Sequence, residues 1–422
     1  MENNAAFGAL SGLKVLDLTQ MMAGPFAAMM LADHGATVVK IEPPHGEMTR
    51  AGGPFRADDT QRVLGGYFQS LNRNKLSVCL DLKTEEGREA FKALVSDADA
   101  VVENFRAGVM ERLGLGYEVL REVNPRLVYG ALRGFGDART GASPYVDWPA
   151  FDVVAQAMGG MIAITGPDSE TPTKVGPGIG DIVPGMMLAF GVLAAIHHAR
   201  RTGIGQFVDI AMTDAVLAVC ERMIWQNSVQ GLVPGPEGNH HPWHVPFGMF
   251  PAKDGFITLA AQQDAFFAIL CKQLEVPELA VDPRFKNREG REANRRVLID
   301  ELSTRTGEFT KAELMERLGG KIPFGPVMNI EDVLQDAHFK ARDMLVEIDN
   351  PGTTPVTIAG VPIKMTATPG GVVRRGPLLG EHNREMLTQA GLSEDKIDAL
   401  DKVFSQTAVE SLVSKETKAA MM

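Results

Sequence analysis

Cysteine is scarce in this chain. Its 422 residues include three, Cys79, Cys220 and Cys271, which lie far apart and form no Cys-x-x-Cys pair. That spacing supports neither a disulfide framework nor a zinc site, and a reducing cytoplasm is the expected location. Positive charge is also short: 42 Lys and Arg against 53 Asp and Glu leave a net charge of -11. With no Lys/Arg-rich tract to reverse it, this balance argues against non-specific nucleic-acid binding, so an anionic ligand has to be met by a few placed cations. Met1–Leu10 lacks the basic start and apolar run of a secretory signal. The most apolar stretch, Ile182–Ile196, falls short of the roughly 18 residues of a membrane span and contains Pro184, Gly185 and Gly191, so it is expected to be a core helix and no membrane partner is expected.

Several motifs are missing as well. The first turn after an expected strand reads Thr19-Gln-Met-Met-Ala-Gly-Pro25, without the glycine spacing of a dinucleotide fingerprint, and no Walker sequence occurs. There is no Gly-x-Ser-x-Gly elbow. The adjacent His197 and His198 are better read as the cationic end of a helix, with Arg200 and Arg201, than as metal ligands, because neighbours on a helix point apart. No tightly bound cofactor and no metal are expected.

What the chain does contain is 45% hydrophobic and 23% charged residues, enough for a soluble two-domain protein with an ample core. Short β-branched runs alternate with helical ones from Leu13 onward. Strands are predicted at Lys14–Leu18, Thr37–Glu42, Leu76–Asp81, Ala100–Asn104 and Arg126–Leu132, with helices at Gly24–His34 and Thr84–Ala98, the latter opening on a Thr-x-x-Gly cap. This is the pattern of an α/β layer with a largely parallel sheet, whose ligands are expected beyond the strands' carboxyl ends, where Asn104 and Phe105 stand. A helix at Asp214–Ser228 gives way to the turn-rich Gly231–Pro246. A strand at Phe256–Ala260 and helices at Asp264–Leu274 and Glu292–Thr306 suggest a smaller module, and Pro351–Pro377 suggests strands and turns. The expected division is residues 1–224 for the first part of a large domain, 225–330 for linkers and a small domain, and 331–422 for a return to the large domain, with the last twenty or so residues a terminal helix or tail.

One segment carries chemistry. Lys174-Val-Gly-Pro-Gly-Ile-Gly-Asp181 places a carboxylate after three alternating glycines and ahead of the apolar helix. Glycines let a substrate approach the main chain and free its N–H groups, and a helix start favours an anion. Asp is equally a favoured N-cap after a Gly/Pro turn, so nucleophile and cap are both open on this segment alone.

A set of blocks taken together resembles the class III CoA-transferases, the family of formyl-CoA and carnitine CoA-transferases. They are Leu10–Thr19 with Ala23-Gly-Pro25, Gly35–Pro43, Asn72-Arg-Asn-Lys75, Val102-Glu-Asn-Phe105, Asn124-Pro-Arg-Leu127, Gly134-Phe-Gly136, Ala155–Gly160, Gly180-Asp181 and Thr202-Gly-Ile-Gly-Gln206. The resemblance implies a large Rossmann-like parallel-sheet domain with a smaller α/β domain, in an interlocked homodimer. It implies that Asp181 is the catalytic nucleophile, taking CoA from an acyl-CoA onto its own carboxyl and passing it to a small carboxylic acid, with coenzyme A a substrate. A carboxylate is ionised at neutral pH without a histidine to activate it. Carried over by position, Leu71, Asn74, Lys75, Asn104, Phe105, Arg112 and Leu113 are candidate CoA contacts and Arg50 a further anion contact. Arg112 is the first choice for a phosphate and Phe105 for an adenine ring. Gly178 and Gly180 are candidates to offer main-chain N–H groups to an oxyanion. Asp152 is an acidic neighbour of the nucleophile or a cap for the helix that follows it.

The chain departs from formyl-CoA transferases at Met22, where they have an active-site glutamine, at Pro43, where they have an arginine, and at their glycine-run loop, whose region is Asn239–Pro246 here. Those departures point to a C4 or C5 acid with succinyl-CoA as donor, in place of oxalate and formyl-CoA. The alternatives are a 2-methylacyl-CoA racemase, whose Gly-His-Asp block is replaced here by Asp147–Asp152, and a non-catalytic acyl-CoA binding protein. Whether His240, His241, Trp243 and His244 cover the site is open at this level.

Overall fold

The computed structural model describes residues 8–402. The described residues divide into two compact units, one of residues 8–161, 175–224 and 338–402, the other of residues 162–174 and 225–337. The expected terminal segment lies outside the described residues.

The larger unit is built on six parallel strands: β1 (Lys14–Asp17), β2 (Thr37–Glu42), β3 (Leu76–Cys79), β4 (Ala100–Glu103), β5 (Val128–Arg133) and β6 (Phe207–Ala211). Their order is β3-β2-β1-β4-β5-β6, in register through Val39 against Leu76, Val15 against Val38 and Ala100, Ala100 against Val128, and Tyr129 against Phe207. Strands buried on both faces read as continuous apolar runs, which is why β1 to β5 were visible in the sequence; β6, mostly half-buried, was not among the predicted strands. Connections run outward in opposite directions from β1 and β4, so the loops after those two strands diverge and leave a crevice at the carboxyl edge, the usual ligand position in such a sheet.

Helix α1 (Ala23–Asp33) is buried almost throughout and carries no charge until Asp33, whose carboxylate pairs with Arg73 at 2.7 Å. Helix α2 (Gly66–Asn72) leads into β3, and α3 (Glu85–Val95) starts at Thr84, whose hydroxyl accepts the Gly87 N–H as the Thr-x-x-Gly pattern predicts. Short helices α4 (Val109–Arg112) and α5 (Tyr117–Val123) connect β4 to β5, and α6 (Asp152–Met158) precedes α7 (Ile179–Thr202). The core beneath α3 and α5 gathers Leu16, Val39, Val78, Phe91, Leu94, Val101, Leu120 and Tyr129. After Ile330 the chain forms an antiparallel pair, Leu345–Ile348 with Val356–Ala359, and then the helix Asn383–Gln389, where Asn383 Oδ1 accepts the Cys79 N–H at 2.7 Å.

At 24 residues, α7 is longer than the apolar stretch suggested, and by length and composition alone it is able to cross a membrane. Its packing gives that apolarity a different use. Leu188 and Val192 lie over Gly130 of β5, where an added Cβ would meet them at 3.0 and 2.9 Å, and Gly191 lies against Val208 of β6. Near its start, Gly185 crosses α1 so closely that a Cβ there would sit 2.5 Å from the Ala23 carbonyl oxygen.

The expected helix at Asp214–Ser228 is two helices, Met212–Val219 and Glu221–Gln230, which break at Cys220. In the smaller unit, Phe247–Ala252, Gly255–Ala260 and Phe324–Pro326 form an antiparallel sheet backed by the helices Asp264–Gln273, Arg295–Thr306 and Lys311–Leu318. The predicted Glu292–Thr306 helix is interrupted at Asn294. Phe250, Ile257, Phe267, Leu270, Leu298, Leu302 and Leu314 form its core.

Gly185→Ala puts a methyl group against main chain that cannot rotate away. It is expected to cost about 1 to 3 kcal/mol of stability, measured as a lower urea midpoint. An unchanged midpoint would show that α1 and α7 part easily.

Candidate active site

The crevice between β1 and β4 is closed at its base by one side chain. Asn104 follows β4, and its Oδ1 accepts the Gln20 N–H while its Nδ2 donates to the Gln20 carbonyl, both at 2.8 Å. This clamps the loop after β1 to the end of β4. The next residue along that loop, Met21, has a φ of 66°, in the left-handed region, and Met22 then stands as the N-cap of α1.

Because Gly185 lets α7 lie against the start of α1, the first turn of α7 lies beside Met22. The point where a Cβ on Gly178 would sit is 2.8 Å from the Met22 sulfur and 3.8 Å from Asp181 Oδ2, so thioether and carboxylate flank the same glycine. Asp181 does not cap the helix. Gly178 is the N-cap and Asp181 is the third helical residue, so its side chain is not committed to the main chain of the turn before it. That answers the cap alternative for this residue.

Asp152 is committed. It is the first residue of α6, not its cap, which is Phe151. Its Oδ1 accepts the Gly180 N–H at 2.8 Å, and both oxygens accept from Gln156 Nε2 at 2.9 Å. Gln156 Oε1 in turn accepts the Val175 N–H at 2.9 Å. The glycine-rich approach to α7 is therefore anchored at both ends by α6. Gly180 can sit there only as glycine, since a Cβ would be 2.6 Å from the Asp152 carbonyl oxygen. The Gly180 N–H is thus spent on Asp152, which corrects the expectation that it faces an oxyanion. The Gly178 N–H has no partner among the described residues.

Burial raises the Asp181 pKa, and the charge of Asp152 raises it further, to about 6. At pH 7 the group is still mostly ionised, but as a carboxylate poor in hydrogen bonds and short of water. Tyr67, at the start of α2, belongs to the same neighbourhood: burial holds its phenol protonated, and the charges of Asp181 and Glu47 add to that. Sequence reading missed Tyr67, Glu47 and Gln156. The one available signal for the first was a Gly65-Gly66 pair opening a helix on one of only four tyrosines.

The carried-over CoA contacts come from two segments. Asn104, Phe105, Arg112 and Leu113 lie on the segment after β4, at the carboxyl edge. Phe105 and Leu113 are half-buried against the core, and the Phe105 N–H donates to Glu103 at 2.7 Å. Burial pushes the Glu103 pKa up to about 7 against the pull of Arg133. Arg112 is exposed, and its side chain has no hydrogen bond or ion pair among the described residues. Leu71, Asn74 and Lys75 instead precede β3, with the Lys75 ammonium reaching Asp17 at the end of β1.

Lys75 is fully buried, and its three N–H groups go to Asp17, Asn72 and the Pro25 carbonyl at 2.8, 2.9 and 3.0 Å, which leaves none for a phosphate. Asn74 is occupied by Asp33, Gly371, Val373 and Arg374. Arg50 is buried too: it grips Glu42 with two bonds of 2.6 and 2.7 Å, donates to the Pro377 carbonyl and lies 4.0 Å over the Phe68 ring. These three polar side chains hold the fold together and are not displayed to a ligand. The His240–His244 segment belongs to the smaller unit, where the His241 ring stacks on His244 at 4.4 Å and its Nδ1 accepts the Trp243 and His244 N–H groups.

A carboxylate at a glycine-lined helix start, beside the ligand crevice of a parallel sheet, is the geometry that the resemblance requires. The chain matches CoA-transferase family III over residues 10–383. It belongs to that family. The enzyme is 48% identical over 389 residues to a succinyl-CoA:mesaconate CoA-transferase of Haloarcula hispanica, covering 91% of this chain and 97% of the relative. A succinyl-CoA–D-citramalate CoA-transferase of Chloroflexus aurantiacus is 38% identical, with 93% and 96% covered. Among solved structures, a CaiB/BaiF family protein from Brucella suis superposes with a TM-score of 0.82 at 34% identity, covering 91% of this chain and all of that one. The protein is a class III CoA-transferase, and the named relatives act on acyl-CoA and small carboxylic acids.

The raised Asp181 pKa has a thermodynamic sign. The folded group binds its proton more tightly than the unfolded one, so stability is greatest below about pH 4 and falls as pH rises through about 6. Asp181→Asn removes that cost, and the variant is expected to be more stable than the parent by about 1 to 3 kcal/mol at pH 7. The difference should vanish by about pH 4. Thermal melting across that range measures it, and a destabilised variant at pH 7 would contradict the raised pKa.

Proposed function

We propose that the enzyme transfers CoA from succinyl-CoA to a C4 or C5 carboxylic acid through an aspartyl-CoA thioester on Asp181. The observation that carries this reading is the Asp181 carboxylate itself, half-buried, uncommitted to a cap, and set beside the free Gly178 N–H. The substrate class rests on the named activities of the relatives, which use succinyl-CoA with mesaconate or D-citramalate.

In the first step an Asp181 oxygen attacks the thioester carbonyl of the donor, the C–S bond breaks, and CoA leaves as thiolate. The product is a mixed anhydride between Asp181 and the donor acyl group. The thiolate then attacks the aspartyl carbonyl, the donor acid leaves as carboxylate, and Asp181 carries CoA as a thioester. The acceptor carboxylate attacks that carbonyl and expels the thiolate, forming a second anhydride. Thiolate attack on the acceptor carbonyl finally forms the new acyl-CoA and frees Asp181. Each tetrahedral intermediate bears an oxyanion, for which the Gly178 N–H is the available main-chain donor; one such donor is typically worth about 3 to 4 kcal/mol.

CoA is proposed to lie along the loop after β4, with Phe105 against the adenine and Arg112 on a phosphate. The three cysteines are all free and buried, consistent with the proposed cytoplasmic location. A homodimer is proposed because the helices around Asp181 display large apolar side chains that a single chain leaves bare, among them Phe151, Met186 and Phe190, the last 76% exposed.

Incubation with succinyl-CoA, borohydride reduction and peptide mapping should mark Asp181. Asp181→Ala should lose turnover by at least a thousandfold and keep its affinity for free CoA. The rate of Asp181 acylation should fall tenfold per pH unit below about 6. Labelling at another residue would remove the nucleophile from this account. Phe190→Glu is expected to yield monomers in analytical ultracentrifugation, and a dimer of undiminished affinity would place the interface elsewhere.

A further inference from the structure

A buried glutamate outside the reacting groups is connected to the candidate nucleophile through a strained turn. Glu47 lies in the loop after β2 and is 4% exposed. Its Oε2 accepts the Met21 N–H at 3.1 Å. Its Oε1 accepts the Thr49 hydroxyl and lies 3.8 Å from the Lys40 ammonium, which is fully buried and donates to the Thr19 carbonyl at 2.8 Å. The Glu47 N–H donates to Glu42 at 3.2 Å. A carboxylate removed from water this completely needs its partners, and one of them is the amide of a residue that has no intrinsic reason to adopt its conformation.

That residue is Met21. Its φ of 66° is a region that L side chains other than Asn and Asp rarely occupy, and the conformation persists only where surroundings impose it. The effect of the turn is on the next side chain: Met22 is delivered to Gly178, sharing that glycine's face with Asp181 Oδ2. Glu47 also bears on the site directly enough for its charge to be felt at Tyr67 together with that of Asp181.

We propose that Glu47 is a positioning residue: by holding Met21 in the left-handed conformation it fixes the Met22 thioether as an apolar wall beside Asp181, which selects acceptor acids by their hydrocarbon body. The proposal rests on the reading of Asp181 as the reacting group. A C5 dicarboxylic acid has three carbons besides its carboxylates that gain contact with a fixed thioether, whereas oxalate has none. Discrimination by one or two methylene-sized groups in a fixed pocket is worth about tenfold or more.

The test compares kcat/KM for a C5 dicarboxylic acid with that for oxalate, both with succinyl-CoA as donor. In Glu47→Ala the ratio should fall about tenfold, through a higher KM for the C5 acid, while affinity for free CoA changes less than twofold. Removing Glu47 strands Lys40, so a second variant avoids the buried charges. Met21→Val disfavours positive φ more strongly than Met does, and should lower the ratio in the same way. Glu47→Ala combined with Met21→Gly should restore it to within threefold of the parent, since glycine adopts this φ without a latch.

An unchanged ratio in both single variants would overturn the proposal. So would an equal loss for every acid together with weakened CoA binding that Met21→Gly does not restore, the signature of general destabilisation. The ratio is read in the steady state and needs no trapped intermediate. Failure of Asp181 to be labelled would therefore count against the nucleophile, and an unmoved ratio against Glu47.

Discussion

The close approach of three helix starts governs this site. The N-terminal turn of α7 passes α1 at Gly185 and α6 at Gly180 with separations that leave no room for a Cβ, and Gly178 faces Met22 almost as tightly. Each contact is main chain against main chain or a side chain against bare backbone. A carboxylate carried by this turn is therefore placed by packing, not by its own hydrogen bonds, and it stays available for chemistry while its position is fixed. The glycines that looked in the sequence like room for a substrate serve first as room for the protein's own helices.

Two carboxylates share the place, and their hydrogen bonds divide the work. Asp152 accepts from the Gly180 amide and from Gln156, so its oxygens are committed to the protein. Asp181 has no such partners, and burial plus the neighbouring charge raise its pKa to about 6. Among carboxylates a higher pKa means a stronger nucleophile, and at neutral pH this one remains mostly ionised. A hydrogen-bonded, low-pKa carboxylate in the same position would be more stable and less reactive. In the proposed mechanism the folding cost of the arrangement is thus tied to the reactivity it would supply.

Strands β1 to β5 and their parallel arrangement were legible because double-sided burial leaves an apolar run, the half-buried β6 was not, and α3 was legible from a local cap. The position of Asp181 was legible only in part. A Gly/Pro-rich turn before a helix says that a start is near, not which residue is the N-cap, and a shift of three residues separates a capping aspartate from a free one. The burial of Lys75, Asn74 and Arg50 was not legible for a different reason. Each is polar and stands beside the motifs, and besides near partners such as Asn72 and Glu42 each bonds to a group tens to hundreds of residues away: Asp17, Gly371 and Pro377. Nothing local distinguishes a cation displayed to a ligand from one that crosslinks the fold.

That difference changes how an acidic protein must meet a polyanion. Lys40, Lys75, Arg50, Arg73 and Arg133 are all buried with acidic partners. On the segment after β4, Arg106 and Arg112 are exposed, and their side chains have no hydrogen bond or ion pair among the described residues. With so few cations in reach, attraction by the charge of the whole protein cannot hold CoA, and the net charge of -11 opposes it. In the proposed binding mode, affinity has to come from contacts of short range: a ring against Phe105, amides at the crevice, and a guanidinium held over a phosphate. Such binding depends weakly on ionic strength, and in that proposal discrimination among acids is left to the place where Met22 and Asp181 meet across Gly178.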